Sequence, residues 1–157
     1  MNGAAGITMI SAALVVVDIV SKYFAATCLK GAAAFSVLPG FFDLAYVENR
    51  GCAWGMFQGK VWPLAAFGVV ALAFLIWKRR SVFEGAIASF AEPLLYAGII
   101  GNALDRICRG YVIDMFDWHW KNCYHFPCFN VADICITTAA GLLIIDGFFN
   151  HKKELKG

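Results

Sequence analysis

The sequence predicts an integral membrane protein, mainly α-helical, with four transmembrane helices. Hydrophobic residues make up 61% of the 157 residues and charged residues only 15%, and the mean hydropathy is +0.67. A soluble domain is nearer half apolar and a quarter charged. Four apolar runs, at about residues 7–27, 61–77, 85–104 and 131–149, have the length that a membrane-crossing helix requires. No linker divides the chain, so residues 1–157 are expected to form one domain.

The first apolar run is predicted to be a membrane helix rather than a cleaved signal peptide. No basic region precedes it, and it carries Asp18 and Lys22 inside the run. These two residues lie four positions apart and therefore on one helix face. Two interpretations stay open for them. They form a structural ion pair near the outer end, with Lys22 snorkelling, or they take a direct part in the functional site.

Two polar sections separate the apolar runs. Residues 28–59 contain Pro39-Gly40 and a β-prone segment at 41–47, so this section between helices 1 and 2 is expected to lie outside the membrane and to form short strands and turns. Residues 105–130 are expected to form an outer loop between helices 3 and 4. Within the third run, Glu92 is a charge for which the sequence offers no evident partner.

Basic residues predict the orientation. Four spans place both termini on one side, together with the short loop 78–80 (KRR) and a tail that carries Lys152, Lys153 and Lys156. The positive-inside rule assigns that side to the cytoplasm, so sections 28–59 and 105–130 face outward. Tryptophans cluster at the same outer ends, as expected of an interfacial aromatic belt: Trp54, Trp62, Trp118 and Trp120. The net charge of +2 is small and dispersed, which argues against a nucleic-acid partner.

Two aspartates are the candidate catalytic groups. Asp114 follows the third run and Asp133 begins the fourth, so both carboxyl groups meet at the membrane surface if these helices are neighbours. Two carboxylates a few ångströms apart share a proton, and one then acts as base while the other acts as acid. Such a pair can activate water against a peptide carbonyl without a covalent intermediate.

Local sequence predicts which aspartate carries the proton. Asn130 is a good N-cap residue, which places Asp133 in the first turn of the fourth helix, where the helix dipole favours the ionised form. Asp114 lies in an apolar, β-prone segment that favours the neutral form. We therefore expect Asp133 to be the resting carboxylate and Asp114 the protonated partner, in a coupled pair that titrates as a unit.

Other polar residues of the same region have simpler interpretations. Asp105 and Arg106 are expected to pair with each other and fix the loop, and Asp117 is expected to be a solvated interface charge. A zinc site is the competing constellation, with donors from His119, Cys123, His125 and Cys128. The spacing H-x3-C-x-H-x2-C is not a standard one, and the intervening aromatic residues suit an interfacial loop.

Five ordered motifs resemble those of the lipoprotein signal peptidases, the signal peptidase II family of aspartic membrane proteases. They are 17–22 (VDIVSK), 48–55 (ENRGCAWG), 98–106 (GIIGNALDR), 110–117 (GYVIDMFD) and 129–133 (FNVAD). The resemblance spans most of the chain. The sequence departs from the family pattern at Cys52 and Cys128, where a small residue such as Ala is usual, and at the charged Glu92.

The resemblance implies a function. Family members remove the signal peptide from bacterial prolipoproteins whose cysteine already carries diacylglycerol, cutting just before that cysteine. It implies that Asp114 and Asp133 are the catalytic dyad and that further polar residues support the site: Asp18, Lys22, Asn49, Asn102, Asp105, Arg106 and Asn130. The resemblance also implies that the protein lies in the bacterial inner membrane, surrounded by lipid, with its active site at the periplasmic face. Section 28–59 would form a small periplasmic β-sheet that cradles the substrate. Globomycin is expected to inhibit the enzyme, and no metal or organic cofactor is expected.

A second function class competes with the protease. A small four-helix proton relay or cation transporter would also hold acids in a membrane. A relay needs acids spread across the membrane depth, however, and here most loop acids lie at the outer edge. Only Asp18, Glu92 and Asp146 are placed deeper.

Overall fold

The computed structural model describes residues 3–121 and 123–154. It contains five α-helices over these ranges: α1 (Gly3–Cys28), α2 (Val61–Trp77), α3 (Arg79–Val82), α4 (Ala88–Arg109) and α5 (Val131–Glu154). The four long helices coincide with the four predicted apolar runs, and α3 is a single turn in the loop after α2. Of the basic tail on which the orientation was predicted, Lys156 lies outside the described residues, as do the side chains of Lys152 and Lys153.

Both polar sections build one antiparallel sheet, with strand order β1-β2-β3-β4. The strands are β1 (Phe35–Leu38), β2 (Phe42–Asn49), β3 (Val112–Trp120) and β4 (Tyr124–His125). The strands predicted in section 28–59 are confirmed. The section 105–130, predicted as an outer loop with a β-prone segment around Asp114, contains strand β3, which pairs along β2 from Asn49↔Val112 to Phe42↔Trp118. Strand pairing satisfies backbone groups that a loop would leave to water.

Helix α4 differs from its predicted bounds of 85–104 at both ends. It begins at Ala88 and continues to Arg109, where Gly110 ends it with φ 76°, a left-handed conformation that suits glycine. The extra turn contains polar residues that made the sequence look like a loop. Asp105 in this turn is buried beside Lys22, and Arg106 donates to the Gly51 carbonyl, so contacts with other parts of the protein hold the polar turn in helical form.

Helix α4 is the central helix of the bundle and packs against α1, α2 and α5. Small residues dominate its buried positions, among them Ala91, Ala97, Gly98 and Gly101. A Cβ at Gly98 would lie 2.5 Å from the backbone oxygen of Ala132 on α5, so only glycine permits this approach of the two helices. Close packing through small residues is typical of helices in membranes, where apolar surface alone gives no driving force.

The outer surfaces of the other helices are apolar. Two helical segments are long and apolar enough to cross a bilayer, Ala4–Cys28 with mean hydropathy 2.1 and Val131–Phe149 with 1.7, and Val61–Trp77 is a shorter apolar helix. Large side chains on these helices are exposed, such as Phe67 at 71% and Phe148 at 70%. Exposed apolar surface of this extent fits a lipid environment.

Buried acids at the far end of the bundle from the sheet have partners. Glu92, for which the sequence suggested none, is 2% exposed and forms an ion pair with Arg79 of α3. Asp146 of α5 accepts a hydrogen bond from the Ala88 N–H at 3.3 Å. These contacts fasten the loop between α2 and α4 to the bundle.

Candidate active site

Asp133 lies in the first turn of α5, as predicted. The side-chain oxygen of Asn130 accepts a hydrogen bond from the Asp133 N–H at 2.9 Å, and Asp133 Oδ2 accepts one from the Asn130 N–H at 3.2 Å. This reciprocal arrangement is a capping box, and it confirms the N-cap prediction. The other carboxylate oxygen, Oδ1, accepts a hydrogen bond from Asn102 Nδ2 at 2.7 Å. Both oxygens of Asp133 are therefore held in place, with one facing α4.

Asp114 lies on β3 and is 2% exposed. Its Oδ1 accepts a hydrogen bond from Asn130 Nδ2 at 2.7 Å, and its Oδ2 accepts one from Asn49 Nδ2 at 2.9 Å. Burial, and next the charge of Asp133, raise the pKa of Asp114 to about 7, against the two amide hydrogen bonds, which lower it. A carboxyl group with this pKa is about half protonated at pH 7, where an ordinary aspartate is ionised, which supports the prediction that Asp114 is the protonated partner.

Asn130 connects the two carboxyl groups. Its amide nitrogen donates to Asp114, while its amide oxygen caps the helix turn that carries Asp133. The Asn130 side chain is completely buried, and its Nδ2 also contacts Asn102 Oδ1 at 3.2 Å. One rigid side chain thus sets the position of both acids, since each is hydrogen-bonded to it or to its helix turn.

Lys22 is the centre of a buried charge cluster beneath the two acids. Its Nζ lies 2.8 Å from Asp18 Oδ2 and 3.0 Å from Asp105 Oδ2, and it donates to Asn102 Oδ1 at 3.2 Å. The predicted Asp18–Lys22 ion pair is confirmed, but the predicted snorkelling is wrong because Lys22 is only 1% exposed. Lys22 is absent from the cavity lining, and Asn102 connects it to Asp133, because Asn102 accepts a hydrogen bond from Lys22 and donates one to Asp133.

Asp18 supports the start of α5 from the neighbouring helix. Its Oδ1 accepts a hydrogen bond at 2.9 Å from the N–H of Ala132, which is the residue before Asp133. A Cβ at Gly101 would lie 2.5 Å from Asp18 Oδ2, so glycine is required there for the carboxylate to reach α5. The Asp18 carboxyl group thus lies at the N-terminus of α5, the positive end of that helix dipole.

Asp105 and Arg106 do not pair with each other, contrary to the prediction. Successive residues point about 100° apart around a helix, so neighbours in sequence rarely meet. Asp105 pairs with Arg109 one turn later and accepts a hydrogen bond from the Ile113 N–H at 3.2 Å, which fixes the start of β3. Arg106 donates to the Gly51 carbonyl at 3.0 Å and so ties α4 to the loop after β2.

Asp114 and Asp133 line one cavity of about 790 Å³ between α2, α4, α5 and the sheet. Asn49, Asn102 and Arg106 line it as well. The rest of the wall is mostly apolar and includes Leu64, Phe67, Gly68, Ala71, Leu95, Ile99, Ile134, Ile136, Phe126 and Phe129. The cavity therefore combines a polar group of acids and amides with an apolar wall to which α2, α4 and α5 all contribute.

Sequence reasoning missed the apolar wall of the cavity. On α2 it is formed by Leu64, Phe67, Gly68 and Ala71, the i, i+3, i+4, i+7 pattern of one helix face. This spacing could have indicated a lining face. However, α2 is apolar on all sides, so the sequence does not distinguish the face that lines the cavity from the other faces. Cys52 and Cys128 also line the cavity, and burial together with Asp117 and Asp114 raises the pKa of the Cys128 thiol to about 11.

The predicted zinc donors have other contacts. His119 and His125 stack with ring centroids 5.0 Å apart, and each lies 3.2 Å from a carboxylate, of Asp43 and Asp117 respectively. Cys123 is exposed. Within residues 3–121 and 123–154, no three His, Cys, Asp or Glu side chains form a group that could hold a metal ion.

The family model for signal peptidase (SPase) II matches residues 10–149. A lipoprotein signal peptidase of Clostridium acetobutylicum is 37% identical over 90% of this chain and 92% of its own, and one of Symbiobacterium thermophilum is 39% identical over 83% and 86%.

Two solved structures of bacterial membrane enzymes have the same fold. One has a TM-score of 0.85 and 31% identity over 95% of this chain and 91% of its own, and the other has a TM-score of 0.77 and 33% identity over 90% and 91%. At such coverage the similarity extends to the helices and the sheet together.

Proposed function

The chain belongs to the signal peptidase II family, and from this membership we propose that it removes the signal peptide from diacylglyceryl-modified bacterial prolipoproteins. It is a protease, and the proposed cut lies just before the lipidated cysteine. The apolar wall of the cavity suits a substrate that combines a hydrophobic signal helix with acyl chains, because both bury apolar surface there.

The proposed catalytic dyad is Asp114 and Asp133. One observation carries this proposal: both acids line the same cavity, and the Asn130 side chain is hydrogen-bonded to each of them. It donates to the Asp114 carboxyl group and accepts from the Asp133 N–H. Asp133, at a helix N-terminus, is the base that takes a proton from the attacking water. Asp114, buried and protonated, is the acid that donates its proton to the carbonyl oxygen as the tetrahedral intermediate forms.

Supporting roles are proposed for the remaining predicted residues. Asn102 orients Asp133, Asn49 and Asn130 orient Asp114, and Arg106 holds the loop that borders the cavity. Asp18, Lys22 and Asp105 form a buried platform that fixes α1, α4 and α5 against each other. Since positioned groups supply much of an enzyme's rate, variants of Asp18, Lys22 and Asp105, which do not line the cavity, should lose turnover without losing substrate contacts.

A cleavage assay with a lipid-modified precursor tests the dyad. Asp114→Asn and Asp133→Asn should each reduce turnover by at least about a hundredfold, because either change removes an acid or a base from the reaction. Asp117→Asn is the matched control, since Asp117 lies on the same strand as Asp114 and pairs with His125 instead. Near-parental turnover in either dyad variant would refute the assignment.

We propose that all four long helices span the bacterial inner membrane, with both termini in the cytoplasm and the sheet and acids at the periplasmic face. The basic loop after α2 and the exposed tryptophans Trp54, Trp62, Trp118 and Trp120 support this orientation. Helix α4 is less apolar than the helices long enough to span a bilayer, which is compatible with a membrane position because α1, α2 and α5 pack around it. Alkaline phosphatase fused after residue 121 should be active, and green fluorescent protein fused at the C-terminus should fluoresce.

Globomycin should inhibit the enzyme by occupying the same cavity. A lipopeptide antibiotic offers an acyl chain and a peptide backbone, which match the apolar wall and the polar group of the cavity. Inhibition should be competitive with the lipid-modified precursor. Inhibition that the precursor cannot relieve would argue for a different site.

The alternative of a proton relay or cation transporter has little support from the deeper acids. Asp18 is paired with Lys22, Glu92 with Arg79, and Asp146 accepts a hydrogen bond from a helix N-terminus. A relay requires groups that exchange protons with one another, whereas these acids contact separate cationic or backbone partners.

A further inference from the structure

A second, smaller cavity lies at the opposite end of α2 from the candidate dyad. It has a volume of about 310 Å³ and is lined by six consecutive residues: Ile76, Trp77, Lys78, Arg79, Arg80 and Ser81. The dyad cavity touches α2 at Leu64, Phe67, Gly68 and Ala71, so the two cavities share no residue. Nothing in the proposed protease reaction uses this second cavity.

The cavity is cationic. Three of its six lining residues carry positive charge, and Ser81 adds a hydroxyl. Glu92 pairs with Arg79 and offsets one charge, which leaves Lys78 and Arg80 to attract an anion. The Lys78 ammonium lies 4.3 Å from the centroid of the Trp77 ring, so a cation–π contact joins two residues of the lining. Acidic Glu84, three positions after Ser81, is not part of the lining.

An apolar stripe on α2 leads directly into this cavity. Val70, Phe74 and Trp77 follow the i, i+4, i+7 spacing of one helix face and are 66%, 52% and 74% exposed. An inorganic anion would bind only the basic residues and would leave this apolar stripe uncovered. A ligand with a phosphate at one end and hydrocarbon chains at the other would fill both features, because its chains could lie along α2.

We propose that this cavity binds the phosphate headgroup of an anionic phospholipid, with the acyl chains along the α2 stripe. The proposal does not depend on the protease function. Basic residues after a membrane helix also set topology, and charges that serve topology alone would show no preference among bound lipids once the protein is inserted. Lipid selectivity therefore distinguishes a binding site from a purely topological signal.

Quenching of Trp77 fluorescence measures the binding directly. The intact protein is reconstituted in phosphatidylcholine vesicles that contain increasing fractions of brominated phosphatidylglycerol or, separately, brominated phosphatidylcholine. The Trp77 signal is the difference between the parent and Trp77→Phe. The anionic lipid should reach half-quenching at about a tenfold lower mole fraction than the zwitterionic lipid.

Paired charge-removal variants complete the test. Lys78→Gln combined with Arg80→Gln should abolish the anionic preference, whereas Lys60→Gln combined with Lys121→Gln, which removes two exposed charges elsewhere, should retain it. Equal quenching by both lipids in the parent would overturn the proposal, as would an anionic preference that survives Lys78→Gln with Arg80→Gln. Displacement of the anionic lipid by inorganic phosphate would show an anion site instead of a lipid site. Arg79 is left unchanged because it holds Glu92.

Discussion

Replacing Asn49 by leucine is expected to move the alkaline limb of the pH–rate profile to higher pH. In the proposed mechanism this limb reports loss of the proton from Asp114, whose pKa is about 7. Asn49 donates a hydrogen bond to Asp114 and thereby stabilises the ionised form. Leucine has a similar shape and cannot donate, so the ionised form becomes less stable, the pKa rises, and the catalytic proton is retained to higher pH.

The size of the shift follows from the hydrogen bond that is lost. The Asn49 Nδ2 to Asp114 Oδ2 distance is 2.9 Å. A hydrogen bond to a charged group contributes about 1.5–3 kcal/mol, and about 1.4 kcal/mol corresponds to one pKa unit. Asn49 is only half-buried, so water replaces part of the interaction and the lower end applies. We expect the limb to move from about 7 to about 8.

The assay is cleavage of a lipid-modified precursor, with kcat/KM measured from pH 5 to pH 9 in one detergent. Tyr46→Phe is the control, because Tyr46 lies on the same strand and loses a hydroxyl that contacts Glu48 and Tyr111 instead of the acids. Its limb should stay near the parental position. A limb in Asn49→Leu that stays in place or moves to lower pH would refute the reasoning.

Three further variants test the buried polar groups. Lys22→Met should lower the apparent Tm by about 10 °C, since it leaves Asp18 buried without a cation and removes one of the two cations that contact Asp105; a shift below about 2 °C would contradict this. Arg79→Gln should destabilise the protein by leaving Glu92 unpaired, and adding Glu92→Gln should restore the parental Tm. Asn130→Ser and Asn130→Ala should both lose turnover, and Asn130→Ser should keep a higher Tm than Asn130→Ala because serine also caps helices. Thermal unfolding and the cleavage assay are measured on the same preparations.

Features that depend on neighbouring residues were predictable from the sequence. The helices follow from long apolar runs, and the capping of α5 depends on Asn130 and Asp133, which are three positions apart. The ion pair of Asp18 and Lys22 was equally local, at a spacing of four. In each case the partners are close in the chain, so helix geometry alone brings them together.

Features that depend on distant segments were not predictable. The pairing of β2 with β3 joins sections 28–59 and 105–130, and neither section reveals the other's register. Arg106 finds its partner at Gly51, and Asp105 finds Lys22, because helix direction and packing decide which face each side chain takes. The sequence suggested an Asp105–Arg106 pair only because the two residues are adjacent; it does not reveal which helix or loop each side chain faces in the folded protein.

The sheet shared by both polar sections has a consequence for biogenesis. Asn49 and Asp114 are 65 positions apart, and Asp18 and Ala132 are 114 apart, so the dyad's supports come from both ends of the chain. A nascent chain with three helices inserted has strand β2 but lacks α5 and Asp133. With Asp133 as the proposed base, we expect hydrolytic activity to begin only after the last helix is inserted, so that incompletely inserted chains cannot cleave the membrane proteins around them.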